Sequence, residues 1–202
     1  RQMCIRDRVR DDNMKPLYMI GCVNEIGKRQ KADNVSGLLG ESGFREYMNQ
    51  LDTPLETGYL LRIGIDHFKE INDNFGQEYG DFVLKKTAEC ISGCTSEGQK
   101  VYKLVADEFL ILDVASDEAK DADKLYDKVR EAIDRFIETN EFKVMYTVSG
   151  GIVPFAALKG NQCSEALKLT DFALNEAKKL GRNRCYISVS YTHLRAHETL
   201  MN

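Results

Sequence analysis

No stretch of this chain is apolar for long enough to cross a membrane, and none reads as a signal peptide. It contains no internal repeat and no low-complexity segment. It also lacks a basic stripe: 28 Lys and Arg stand against 32 Asp and Glu, for a net charge of −4. Without such a stripe there is nothing to neutralise a run of phosphates, which argues against nucleic acid or an anionic membrane as partner. What remains is a chain of 202 residues, long enough to bury a sizeable core and suited to one domain plus a fragment of another.

The two ends are unlike the rest. Residues 1–8, RQMCIRDR, resemble the translation of a sequencing adaptor, and residues 189–199, VSYTHLRAHET, resemble the opposite adaptor read in the inverted orientation. Residues 1–8 and 189–202 are therefore set aside from functional reasoning, and the natural protein is expected to continue in both directions. His193 and His197 go with them, which leaves His67 alone. A histidine-rich metal site or a Ser-His-Asp triad is then excluded for want of parts. Five cysteines remain, Cys22, Cys90, Cys94, Cys163 and Cys185, odd in number and scattered, as expected of reduced thiols in a cytoplasmic compartment. Cys90 and Cys94 have the spacing of half a metal site, but they read first as small core or flanking residues.

Hydrophobic spacing divides the rest into alternating elements. Residues 16–26, PLYMIGCVNEI, read as a strand leading into a polar basic run at 27–31, either a plain N-terminal strand or the closing strand of a sensor domain. Phe44, Tyr47, Met48 and Leu51 have helical spacing; residues 60–65 form a short apolar strand, and 68–75 a short helix. Helical faces follow over 81–91 and 117–138. Between them, residues 101–104 and 108–112 read as two strands joined by a tight turn. A strand over 143–153, a helix over 164–180 ended by Gly181, and a last strand over 185–188 complete the pattern. Strands interleaved with helices, and one central hairpin, predict an α+β sheet with helices packed over it.

Two stretches carry chemistry. RIGIDHFKEINDNFGQEYGD at residues 62–81, followed by KLVADEFLIL at 103–112, resembles the nucleotide-binding core of the GGDEF family of diguanylate cyclases, which join two GTP into cyclic di-GMP. DNVSGLL at 33–39 resembles the family's entry motif, ALNEAKKLGRN at 173–183 its closing motif, and residues 16–26 the end of a PAS domain. The resemblance implies a nucleotidyl-cyclase-like (ferredoxin-like palm) fold with a central, mainly antiparallel sheet. It also implies a division into a PAS-like remnant and linker over 9–32 and a GGDEF-like domain over 33–188. On the same grounds Asn72 and Asp81 would read the guanine edge, since Asn both donates and accepts and an Asp carboxylate accepts from guanine N–H groups. Backbone N–H groups at His67, Phe68 and Lys69 would face phosphate at a helix start, with Lys178 and Arg182 as cationic clamps. Asp107 would ligate Mg²⁺ or Mn²⁺ together with the Ile65 carbonyl and help activate the 3′-hydroxyl, with Glu108 beside it.

The departures from the pattern weigh as much. The first metal aspartate of the family motif is Gly64, which has no side chain to bind a cation. Asp66 lies two residues along the strand, a shift of roughly 6–7 Å, too far to replace it. The signature's two glycines are Val105 and Ala106. A positive φ at β-branched Val105 would be an outlier, so the turn is expected to change shape. If each defect costs about 3 kcal/mol, the pair lowers the rate by about 10⁴. An inhibitory product site, R-x-x-D in the family, is expected to be absent, because Ser96 and Gln99 hold its positions. Asn175 replaces a usual Tyr, and Gly40–Glu41 a frequent Asn-Arg, without deciding function.

The resemblance leaves three readings. The favoured one is a degenerate domain that binds GTP or a partner, such as a downstream EAL-type phosphodiesterase domain, without making cyclic di-GMP. A second is an active cyclase working as a homodimer, and a third a ligand-free dimerisation or spacer module.

Overall fold

The computed structural model describes residues 2–10, 16–24, 32–51, 55, 57–114, 116, 119–139, 144–158 and 163–188. The chain divides into two units, residues 1–31 and 32–202. In the first, β1 (Gln2–Arg10) pairs antiparallel with β2 (Pro16–Asn24). β2 lies where the sequence predicts a strand, and residues 25–31 lie outside the described residues. β1 consists mostly of residues that resemble adaptor translation.

The second unit is built on β4 (Tyr59–Ile65), whose sequence YLLRIGI is apolar apart from Arg62. A strand flanked by partners on both edges and covered on both faces needs such a run. β4 lies between β6 (Glu108–Asp113) and β7 (Val148–Pro154), antiparallel to both. The sheet extends from β6 to β5 (Gln99–Lys103) and on to the short parallel strand β3 (Leu39–Gly40); at the far edge β8 (Cys185–Ile187) runs parallel to β7. The order is β3-β5-β6-β4-β7-β8, a mixed sheet in an α+β fold.

Strand alternation sends side chains to two cores. Tyr59, Leu61, Ile63 and Ile65 pack beneath α2 (Phe68–Phe75), α3 (Gln77–Cys94) and α4 (Ala119–Thr139). Leu60, Leu110 and Leu112 face the opposite way, toward α1 (Glu41–Asn49) and α5 (Cys163–Lys179). Phe44 and Met48, predicted from spacing to lie on one face, are both in that second core. Each large apolar side chain buried this way contributes about 1.5–3 kcal/mol.

One boundary moves. The strand predicted over 143–153 begins only at Val148. Val148 is the register partner of Ile65, and beyond Ile65 the chain leaves β4 for α2. Past that pair only the Asp66 amide, donating to the Thr147 carbonyl at 2.8 Å, continues the pairing, and residues 144–147 form no ladder. The corner itself turns on His67, whose φ is 57°. Among the described residues no helix is long and apolar enough to cross a membrane.

Candidate functional site

The C-terminal end of β4 and the β5–β6 turn meet because of register. Gly64 pairs with Glu108, and the Ile65 amide donates to the Asp107 carbonyl at 3.4 Å. The turn closes with the Leu104 amide on the Glu108 carbonyl at 2.8 Å and the Glu108 amide on the Val105 carbonyl at 3.2 Å. Its positive φ, 55°, is carried by Ala106, while Val105 escapes that strain and stands 71% exposed. Beneath the turn the buried Lys103 ammonium donates to the Leu104 carbonyl at 3.1 Å and to the Ala106 carbonyl, and sits 5.2 Å from the Phe109 ring centroid. Burial pushes its pKa below the ordinary lysine value, against the pull of Asp33, Asp107 and Glu108.

α5 lies across this corner. A Cβ added to Gly64 would stand 3.0 Å from Lys178 Nζ and 3.1 Å from Leu174 Cδ2. The Lys178 ammonium thus covers the strand position where the family motif has an aspartate. Asp66 is turned inward and almost wholly buried. It accepts from Thr147 Oγ1 at 2.6 Å, Ser149 Oγ at 2.7 Å and the Asn183 amide at 3.1 Å. These bonds tie β4 and β7 to the turn after α5, where Gly181, Arg182 and Asn183 all have positive φ. Asp66 is therefore a structural carboxylate that holds the turn bearing Arg182.

The proposed base-reading residues gather at the far end of α2. Its rise of about 1.5 Å per residue puts Asn72 roughly 7–8 Å along the axis from His67. Asn72 Oδ1 is buried without a hydrogen-bond partner. It rests on the bare Cα of Gly80, and Asp81 follows on α3. A Cβ on Gly80 would fall 2.9 Å from Asn72 Cγ, closer still to Oδ1, and 3.3 Å from Phe68 Cζ. Gly80→Ala should therefore displace Asn72 and, on the expectation that Asn72 reads a guanine base, weaken GTP binding by about tenfold or more, the worth of one well-placed hydrogen bond to a base. Calorimetry on both forms measures it; equal affinities would remove Asn72 from the base site.

Helix α2 starts directly after this corner. The N–H groups of Phe68 and Lys69 lie in its first turn, and His67 precedes them with Nδ1 2.6 Å from Glu70 Oε1. Lys178 and Arg182 border an open concavity of about 780 Å³ along α5, shared with Lys168, Asp171, Asn175 and Lys179. Cations on that scale suit a polyphosphate.

A divalent cation fits less well. Hard cations need several charged oxygens converging on one point. Gly64 supplies none, Asp66 is engaged by three donors, and Glu108 is held by Arg62 through Nε at 2.7 Å and through Nη2. Asp107 and the Ile65 carbonyl are left, with the Lys178 ammonium nearby. Among the described residues no three acidic, His or Cys side chains converge as a metal site would need. The residues present do not fit the metal that the family motif implies.

Sequence reasoning missed Arg62, Lys103, Gly80 and the Gly150–Gly151 pair. The signals were present: a charge inside an apolar strand, a lysine at a strand end, and glycines inside a strand or helix. At the positions of the family's product site, the Ser96 amide donates to Gln99 Oε1 at 2.8 Å and Gln99 Nε2 donates to Asp113 Oδ2 at 2.7 Å, an internal tie with no cation in it.

Residues 31–184 match the family model described as "Diguanylate cyclase, GGDEF domain". The chain is 28% identical to diguanylate cyclase VdcA of Vibrio cholerae over 179 residues, covering 85% of this chain and 52% of that one. It is 29% identical over 173 residues to the cyclic di-GMP phosphodiesterase NbdA of Pseudomonas aeruginosa, covering 83% of this chain and 22% of NbdA. It thus spans about half of one relative and under a quarter of the other. In fold it is similar to the isolated GGDEF domain of TpbB (YfiN) from P. aeruginosa, with a TM-score of 0.71 and 23% identity over 85% of this chain and 100% of that one.

Proposed function

The chain belongs to the GGDEF family of diguanylate cyclases, and from that premise we propose a cyclic di-GMP signalling domain that binds GTP without condensing it. The observation that carries this reading is the cationic cover over the catalytic corner: Lys178 above Gly64 and Arg62 on Glu108. Phosphoryl transfer needs charge neutralised at the transferring phosphate and an activated 3′-hydroxyl. The cations can still hold a ground-state polyphosphate. The carboxylates that would organise the reacting centre are absent at 64 and engaged at 108. Asn72 and Asp81 would orient the purine, the amides of residues 67–69 would face the phosphates, and Lys178 and Arg182 would neutralise them. Binding without turnover suits a regulatory role within a longer protein, toward a second copy or an EAL-type domain. The 22% of NbdA that the chain spans leaves room for such a domain.

The test is to incubate the purified protein with GTP and Mg²⁺ or Mn²⁺, follow cyclic di-GMP by chromatography, and measure GTP binding by calorimetry. Binding with no product is the expected result. Product formed at a rate typical of enzymes, about 1 s⁻¹ or more, would establish an active cyclase. No binding at all would leave a dimerisation or spacer module.

A further inference from the structure

Arg62 is the one charged residue of β4, and four of its contacts fix it in place. Nε donates to Glu108 Oε2 at 2.7 Å, Nη2 reaches the same oxygen and stands 3.1 Å from Asp171 Oδ1, and Nη1 donates to the Leu167 carbonyl at 3.2 Å. Its side chain is 12% exposed and that of Glu108 19%. Arg62 and Gly64 lie two residues apart on one face of the strand, and Glu108 faces Gly64 across the ladder. The guanidinium therefore reaches diagonally across the ladder to Glu108, the register partner of Gly64, a reach open to long side chains. Anchoring to a carbonyl and a carboxylate of α5 holds it there.

We infer that Arg62 is a built-in cation that takes the place of a divalent metal beside Glu108, so that restoring an aspartate at position 64 does not by itself restore metal binding. A guanidinium is always charged and carries five donors in a planar fork, so it stands beside Glu108 as a built-in counter-cation. A carboxylate introduced at 64 would enter beside Lys178, whose Nζ lies about 3.0 Å from its Cβ, with the anchored Arg62 on the same face. It would be neutralised before a metal ion arrived, and an arriving ion would meet like charge. This inference deepens the reading above and rests on it for the meaning of the site. Its test uses no nucleotide, so the two fail separately.

The experiment is Mn²⁺ binding to the full chain, followed by electron paramagnetic resonance, for the native protein, Gly64→Asp, and the pair Arg62→Gln with Gly64→Asp. Glutamine keeps a donor for Glu108 while removing the charge. Gly64→Asp should bind Mn²⁺ within about threefold of the native chain, and the pair should gain about tenfold or more, the scale of removing one nearby like charge. An equal gain from Gly64→Asp alone, or no gain from the folded pair, would overturn the inference. If the pair does not fold, the native chain decides. The Arg62 Nε–H resonance should stay sharp as Mn²⁺ is added, and paramagnetic broadening of that resonance would place metal beside Glu108 and overturn it.

Discussion

Gly151→Ala is expected to cost the folded state about 3 kcal/mol or more, the upper range for an overpacked interior, or to prevent folding. A Cβ there would lie 2.8 Å from the Ala173 carbonyl carbon and 2.9 Å from its Cβ, and closer to the Leu174 amide nitrogen. Two of these are backbone atoms of α5, so no rotamer change relieves the overlap and the helix itself must retreat. The neighbouring glycine is an internal control. A Cβ on Gly150 would meet Tyr126 Cδ2 at 2.8 Å and Cys185 Sγ at 2.9 Å, side-chain atoms on the α4 face that yield more readily. Gly150→Ala should therefore cost less than Gly151→Ala. Urea unfolding of the two variants, at unchanged m-value, measures the difference. Equal costs would mean that α5 does not press on the sheet as closely as described. Any retreat of α5 would also carry Lys178 away from Gly64, so the stability defect and a loss of GTP affinity should appear together.

Asp66→Ala is expected to destabilise the chain by about 3–5 kcal/mol, the summed cost of leaving two hydroxyls and a backbone amide without their acceptor. The carboxylate accepts from two hydroxyls and a backbone amide. Its loss strands donors that water reaches poorly, and each such group costs about 1–3 kcal/mol. Thr147→Ala and Ser149→Ala should each cost about 1 kcal/mol. Because all three act on one carboxylate, their effects should not add. Guanidinium denaturation of the single and double variants gives the coupling. A cost for Asp66→Ala below about 1 kcal/mol would contradict the buried network. Gly64 lies two residues earlier, near the end of β4. Asp66 holds the fold together, whereas position 64 carries no side chain at all.

Much of this was legible in the sequence because it is local. The spacing of Phe44 and Met48, the apolar run of β4, and the amphipathic stretch that became α4 each follow from the period of a single element. So does the end of α5 at Gly181. The motif residues could be numbered from the chain alone, since their spacing is set by short turns. Boundaries that depend on a neighbour were less legible. The late start of β7 follows from where β4 ends, which no period within residues 143–153 announces. The turn at 104–107 is expected from the sequence to change shape, because β-branched Val105 disfavours a positive φ; which residue takes that φ instead, Ala106, is visible only in the structure.

The sequence by itself determined the family, the layered α+β architecture and the absence of an aspartate at position 64. Each is a matter of residue identity or local period. Only the tertiary structure decided what stands in the gap. Arg62 and Glu108 are 46 residues apart, and Asp66 and Ser149 83 apart. Such pairs are chosen by strand register and by how closely α5 can lie on Gly151 of β7. A charged residue in an apolar strand shows that a partner must exist, because an unpaired buried charge is too costly. Which partner it finds depends on the fold as a whole.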